Sequence, residues 1–145
     1  MVFAAKVLVV DDEPAIRALV SKIVERAGFH VECARDGAEA IEKIENGTYD
    51  VLVVDLMMPN VDGYALIDHV AQLPRPRPAV IVISAGDSAA FRRLDGSLVH
   101  SIVRKPFDID ALGDLISAAA RTMAEERAGK TNGQVLPFRR ESDAC

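Results

Sequence analysis

The stretch VLVVDLMMPNVDG, residues 51–63, decides how the rest of the chain is read. Its first four residues, Val51 to Val54, are apolar without a break and rich in valine. That pattern suits a strand buried on both faces, as in a parallel sheet covered by helices. Asp55 ends the run abruptly. From Gly63 to Gln72 the period changes, with Leu66, Ile67 and Val70 on one face of a helix.

Working outward, the same alternation of strand and helix recurs. Lys6 to Val10 is a second short run of Val and Leu. It is followed by a helix that Pro14 can open, with Ile16, Leu19, Val20, Ile23 and Val24 on one stripe and Gly28 at its end. His30 to Ala34 reads as a strand, Asp36 as the N-cap of a helix that turns Ala40, Ile41 and Ile44 inward, and Asn46-Gly47 as its close. The prolines at 74, 76 and 78 make a stiff connection into the strand Ala79 to Ser84. Ser88 to Leu94 has room for about two helical turns. Asp95-Gly96 then turns the chain into a fifth strand near His100 to Arg104. A last helix begins near Asp108 and carries Leu112, Leu115, Ile116, Ala119 and Met123 on one side. From Arg127 onward Gly129, Asn132-Gly133 and Pro137 break the periodicity, so residues 1–125 are expected to form the domain and residues 126–145 a flexible tail. Five strands alternating with five helices predict an α/β architecture, an open parallel sheet covered on both faces. There is no internal repeat.

Composition limits the functions such a domain can have. With 145 residues, one core is favoured over two. The 17 Lys+Arg and 22 Asp+Glu leave a net charge of -5, which lacks the positive field that direct DNA binding or attachment to an anionic membrane needs. No apolar run approaches the roughly 20 residues of a membrane span, and no secretory signal is visible at Met1 to Ala5, so a cytoplasmic location is expected. Cys33 and Cys145 have no metal-ligand spacing, and neither a zinc site nor a disulfide framework is expected. His30, His69 and His100 are scattered over different elements and read as structural or surface residues.

In an open parallel sheet the chemistry gathers at the carboxyl ends of the strands. Strand one ends in Asp11-Asp12-Glu13, strand three in Asp55, strand four in Ser84 and strand five in Lys105-Pro106. Any one of these alone is an ordinary helix cap or loop residue; together they form a site. Asp11, Asp12 and Asp55 would repel one another without a counterion, which calls for a hard divalent cation with oxygen ligands, most naturally Mg²⁺. Beside that cation and the Lys105 ammonium, Asp55 is placed to act as a nucleophile toward phosphorus, and Ser84 to donate a hydrogen bond to a phosphoryl oxygen.

In these motifs the sequence resembles a response regulator receiver domain of two-component signalling, over roughly residues 5 to 124. The matching pieces are Asp11-Asp12 after an apolar strand, Asp55-Leu56-Met57-Met58-Pro59 continuing to Asp62-Gly63, Ser84-Ala85, and Lys105-Pro106-Phe107. The resemblance implies a flavodoxin-like, doubly wound five-stranded sheet in three α/β/α layers, as in single-domain CheY-like receivers. It implies that Asp55 is the phosphoacceptor, that Asp12, Asp55 and the backbone carbonyl of Met57 hold Mg²⁺ directly, and that Asp11 acts through a metal-bound water. Lys105 would pair with the phosphoryl group, and its bond to Pro106 would be cis. The implied donor is a histidine kinase or histidine phosphotransfer protein. With no output domain following, the expected output is a contact with a downstream protein or a role as phosphate relay or sink.

Some positions depart from the family pattern. Ile102 stands where an aromatic switch residue is common, and Met57 and Gly86 stand where relatives often place polar side chains that tune dephosphorylation. Neither can orient an attacking water, so slow intrinsic hydrolysis is expected. With Ile102 stiff at χ1, the switch is expected in the loop and short helix from Ala85 to Leu94, hinged at Gly86. Two other readings fit less well. A haloacid-dehalogenase-like phosphohydrolase wants a second Asp two residues after its nucleophile, where Met57 stands. A flavodoxin-like nucleotide-binding protein wants phosphate-cradling glycines or hydroxyls in the first loop, where Asp11, Asp12 and Glu13 stand.

Overall fold

The computed structural model describes residues 5–58, 63–74, 76–85 and 99–131. Within them the strands are β1 (Lys6–Val10), β2 (His30–Ala34), β3 (Val51–Asp55), β4 (Ala79–Ser84) and β5 (Val99–Arg104). They form one sheet in the order β2-β1-β3-β4-β5, and every neighbouring pair is parallel. Four helices accompany the sheet among the described residues: α1 (Pro14–Arg26), α2 (Gly37–Asn46), α3 (Gly63–Ala71) and α4 (Ile109–Thr131). The short helix expected at Ser88 to Leu94, its Gly86 hinge and the turn at Asp95-Gly96 lie outside the described residues.

Because side chains alternate across a strand, the valine-rich runs supply two cores at once. Val7, Val9, Val53, Ile81 and Ile83 face Val20 and Ile23 of α1 and Leu112 and Ile116 of α4. Leu8, Val10, Leu52, Val54 and Val82 face Ala40 and Ile44 of α2 and Leu66, Ile67 and Val70 of α3. Removing each of these larger side chains from water contributes about 1.5–3 kcal/mol. Most of the fold's stability therefore lies in the central strands, from whose ends the polar residues project.

The helix boundaries have local causes. Pro14 sits at the start of α1, and Gly28 after its end takes a φ of 93°, a left-handed conformation that favours glycine. Asp36 caps α2 by accepting from the Glu39 N–H at 2.9 Å, and the Glu39 carboxylate reaches back to the Arg35 N–H at 2.8 Å. The helix α4 runs on to Thr131 and so continues past residue 125, where the apolar periodicity had placed the start of a tail. Helical hydrogen bonding does not require an apolar stripe, and Arg127 Nε lies 2.8 Å from Asp50 Oδ1, a tertiary contact that holds this turn to the sheet.

Cys33 Sγ lies 3.1 Å from Ser21 Oγ. No helix among the described residues is long and apolar enough to cross a membrane.

Candidate functional site

Parallel register is what brings the site together. Val10 of β1 is aligned with Val54 of β3, so Asp11 and Asp55 stand side by side one step further on. Asp55 is aligned with Ile83 of β4, which places Ser84 just beyond, and Ser84 is aligned with Arg104 of β5, which places Lys105 just beyond that. Asp11 and Asp55 are level, Ser84 and Lys105 each lie one residue further along, and all four arrive on one rim at the point where the strand order reverses between β1 and β3.

Carboxylate oxygens of Asp11, Asp12 and Asp55 lie within 4.8 Å of one another. The Lys105 ammonium faces them, 3.5 Å from Asp11 Oδ2, 3.5 Å from Asp55 Oδ2 and 3.0 Å from Glu13 Oε1. Two similar turns hold the buried acids: Asp11 Oδ1 accepts from the Glu13 N–H at 2.9 Å, and Asp55 Oδ1 accepts from the Met57 N–H at 3.1 Å. The Lys105 N–H donates to the Ser84 carbonyl at 3.0 Å, and the Lys105–Pro106 bond is cis.

The electrostatics of this rim are unbalanced. Burial pushes the Asp55 carboxyl up from 3.8 to about 6, and the charge of Asp11 adds to it; the Met57 N–H and Lys105 only partly offset the rise. Burial likewise raises Asp11, against the Glu13 N–H and Lys105. Burial pulls the Lys105 ammonium down, but Glu13, Asp11 and Asp55 together outweigh it and leave it above the usual lysine range. An excess of negative charge on hard oxygen donors, with one ammonium to offset it, is a donor set that fits a divalent cation such as Mg²⁺.

The other expected residues divide by position. Ser84 is wholly buried at the end of β4, and Ala85 after it is exposed. Ile102 is 43% exposed on β5, and Met57 is 61% exposed beside Asp55. Pro106 lines a cavity of about 500 Å³ together with Glu13, Leu19 and Phe107. Three contributors were not singled out from sequence. Glu13 is the nearest acid to Lys105 among the described residues, and Arg17 Nη1 donates to the Asp11 carbonyl at 2.8 Å, bracing the first loop. At Gly63 a Cβ would stand 2.6 Å from Leu56 Cα and 2.8 Å from the Asp55 carbonyl, so only glycine lets α3 start against the backbone of the site. Glu13 and Gly63 were visible within the motifs, but what they touch was not.

The profile of the response regulator receiver domain matches residues 7–117. The chain belongs to the response regulator receiver family. Over 114 residues, 77% of its length, this receiver is 35% identical to a gliding motility regulatory protein of Myxococcus xanthus, of which the match covers 15%. It is 32% identical to the transcriptional regulatory protein TcrA of Mycobacterium tuberculosis, covering 83% of this chain and 47% of the relative. The receiver thus spans less than half the length of these curated relatives. Among solved structures it is similar to the response regulator protein TrrA of Thermotoga maritima in complex with Mg²⁺ and BeF, with a TM-score of 0.72, 28% identity, and coverage of 79% of this chain and 98% of that one. Receivers of this family accept phosphoryl groups in two-component signalling, with histidine kinases as donors, and bind Mg²⁺ through acidic residues.

Proposed function

We propose that this receiver accepts a phosphoryl group on Asp55 from the phosphohistidine of a kinase or phosphotransfer protein, and that the change in charge alters its contact with a downstream protein. The observation that carries the reading is the convergence of Asp11, Asp12, Asp55 and Lys105 on one rim from strand ends that span nearly the whole chain. Asp12, Asp55 and the Met57 backbone carbonyl would hold Mg²⁺, with Asp11 acting through a metal-bound water. When bound, the ion would supply positive charge that the attacking carboxylate and the phosphoryl oxygens otherwise lack.

The residues of the chain divide the rest of the work. Asp55 Oδ1 is held by the Met57 N–H, and its Oδ2 faces Lys105. Lys105 offsets charge on the transferred group, and Ser84 donates a hydrogen bond to one of its oxygens. The only chemistry performed is on the receiver's own acceptor, its phosphorylation and the later loss of that phosphate. Met57 presents an exposed thioether where a water would have to be oriented, which favours a long-lived phosphate.

With Mg²⁺ and a small phosphodonor, the full chain is expected to gain one acid-stable, base-labile phosphate by intact mass. Asp55→Asn is expected to gain none, and a chelator to abolish the gain in the wild type. Full labelling of Asp55→Asn would overturn the assignment.

A further inference from the structure

Glu13 occupies the N-cap position of α1, where Ser, Thr, Asp or Asn would turn back to accept from the N–H of the second or third helical residue. It makes no such bond. Pro14, next along, has no N–H to offer, and the Glu13 carboxylate instead crosses the mouth of the site to Lys105, 92 residues away in the chain, with Oε1 3.0 Å from Nζ. That is shorter than the 3.5 Å separating the same ammonium from Asp11 and from Asp55. The resting Lys105 is therefore held most closely by an acid outside the buried pair, and its 3.5 Å to Asp55 Oδ2 exceeds the roughly 2.7–2.9 Å of a strong charge-assisted hydrogen bond.

We propose that Glu13 is a positioning residue that holds Lys105 in the resting state and releases it to the phosphoryl group, thereby tempering how readily the aspartyl phosphate forms. The proposal rests on the reading of Asp55 as acceptor. In the transfer, the bond from phosphorus to the donor's leaving group breaks, that group departs with the bonding electron pair, and a bond from phosphorus to an Asp55 carboxylate oxygen forms; Lys105 contributes charge and no proton. The direction of the exchange follows from exposure. The Glu13 side chain is 61% exposed, so water screens its hold on the ammonium, whereas phosphorylation replaces the single charge of the buried Asp55 carboxylate with about -1.5 to -2 on the phosphoryl oxygens. The weak pair yields to the strong one. Until it does, the donor's phosphoryl group must compete with Glu13 for the one ammonium that faces the site among the described residues.

The test uses the full chain at saturating Mg²⁺ with phosphoramidate as donor, followed by intact mass. Glu13→Gln is expected to label about two- to fivefold faster than wild type, the range that an exposed ion pair can supply. Since Glu13 makes no capping bond, the thermal melt of the variant should fall by no more than the few degrees that an exposed ion pair supplies. Glu13→Asp keeps the charge and shortens the reach, so it should behave like Glu13→Gln. In a Lys105→Ala background, Glu13→Gln should bring no gain. A gain of the same size in that background, or a Glu13→Asp variant equal to wild type, would mean that only the local field matters and would overturn the proposal, as would no gain in Glu13→Gln itself. Wild type that stays unlabelled on Asp55 would overturn the acceptor reading and this proposal with it, whereas labelled wild type with an indifferent Glu13→Gln would overturn this proposal alone.

Discussion

The two ends of the sheet both bury acids, and they treat them differently. At the amino end, Asp50 Oδ2 accepts from the Lys6 N–H at 2.9 Å and Asp50 Oδ1 lies 2.8 Å from Arg127 Nε. Beside it Glu32 accepts from the Tyr49 hydroxyl at 2.6 Å and pairs with Lys6 at 2.9 Å and with Lys43 at 3.8 Å. Burial pushes Glu32 up, yet the Tyr49 hydroxyl, Lys6 and Lys43 outweigh it and leave this carboxyl below its usual range. At the carboxyl end Asp11, Asp12, Glu13 and Asp55 face Lys105, and the Asp55 carboxyl ends near 6. One end answers most of its charge from within the chain, although burial still raises Asp50 against the Lys6 N–H and Arg127. The other is left short of positive charge, and that shortage marks it as a place for an ion and a phosphoryl group.

The comparison breaks first at the metal. Asp12→Ala should lose Mg²⁺ affinity and phosphorylation together, as followed by titration calorimetry and intact mass. Unchanged Mg²⁺ binding would place the ion elsewhere. No substitution at the amino end should do this. Asp50→Ala should instead be labelled as wild type under native conditions but cost about 3 kcal/mol of stability, because it strands the Arg127 guanidinium and the Lys6 N–H. Urea unfolding with a lower midpoint and an unchanged slope is the expected signature.

Acidity next separates Glu32 from the buried aspartates, since burial raises Asp50 as it raises Asp11 and Asp55. A carboxyl raised from 3.8 to about 6 in the folded protein binds a proton there that the unfolded chain has already released. The stability of the metal-free protein should therefore be greatest below about pH 4 as far as Asp55 is concerned, and fall as pH rises from about 4 to about 6, by on the order of 3 kcal/mol. Asp11, raised for the same reason, acts in the same direction. Glu32 has the opposite sign, its contribution being lost as pH falls below the ordinary glutamate value of 4.5. Above pH 6, Mg²⁺ should restore stability to wild type and not to Asp12→Ala, and melting curves with and without the ion check both statements. The smallest effect is expected from Tyr49→Phe, about 1 kcal/mol for the lost hydrogen bond to Glu32, with labelling unaffected.

Much of the carboxyl end was legible in the sequence because its residues follow strands that announce themselves. A run such as Val51 to Val54 can be buried on both faces in few other ways, and a polar residue that ends it must project from the sheet edge. The helix starts at Pro14 and Asp36 and the stop at Gly28 were legible for the same kind of reason, since capping and positive φ are decided by neighbours in the chain. The amino end was nearly silent. Glu32 sits in a strand read only as apolar, Asp50 just before another, and Arg127 in a stretch where the apolar period had stopped.

What the sequence determined by itself is the order of elements, their apolar faces and the set of polar residues at the strand ends, because period and capping report local geometry and burial. Tertiary structure decided the rest. Register placed Asp11, Asp55, Ser84 and Lys105 on one rim, and a helix about two turns longer than its apolar stripe brought Arg127 to Asp50. Most of all, it decided that Glu13 spends its carboxylate on Lys105 rather than on its own helix. A hydrogen bond forms according to distance in space, and for residues so far apart in the chain that distance is set by the packing of the whole sheet.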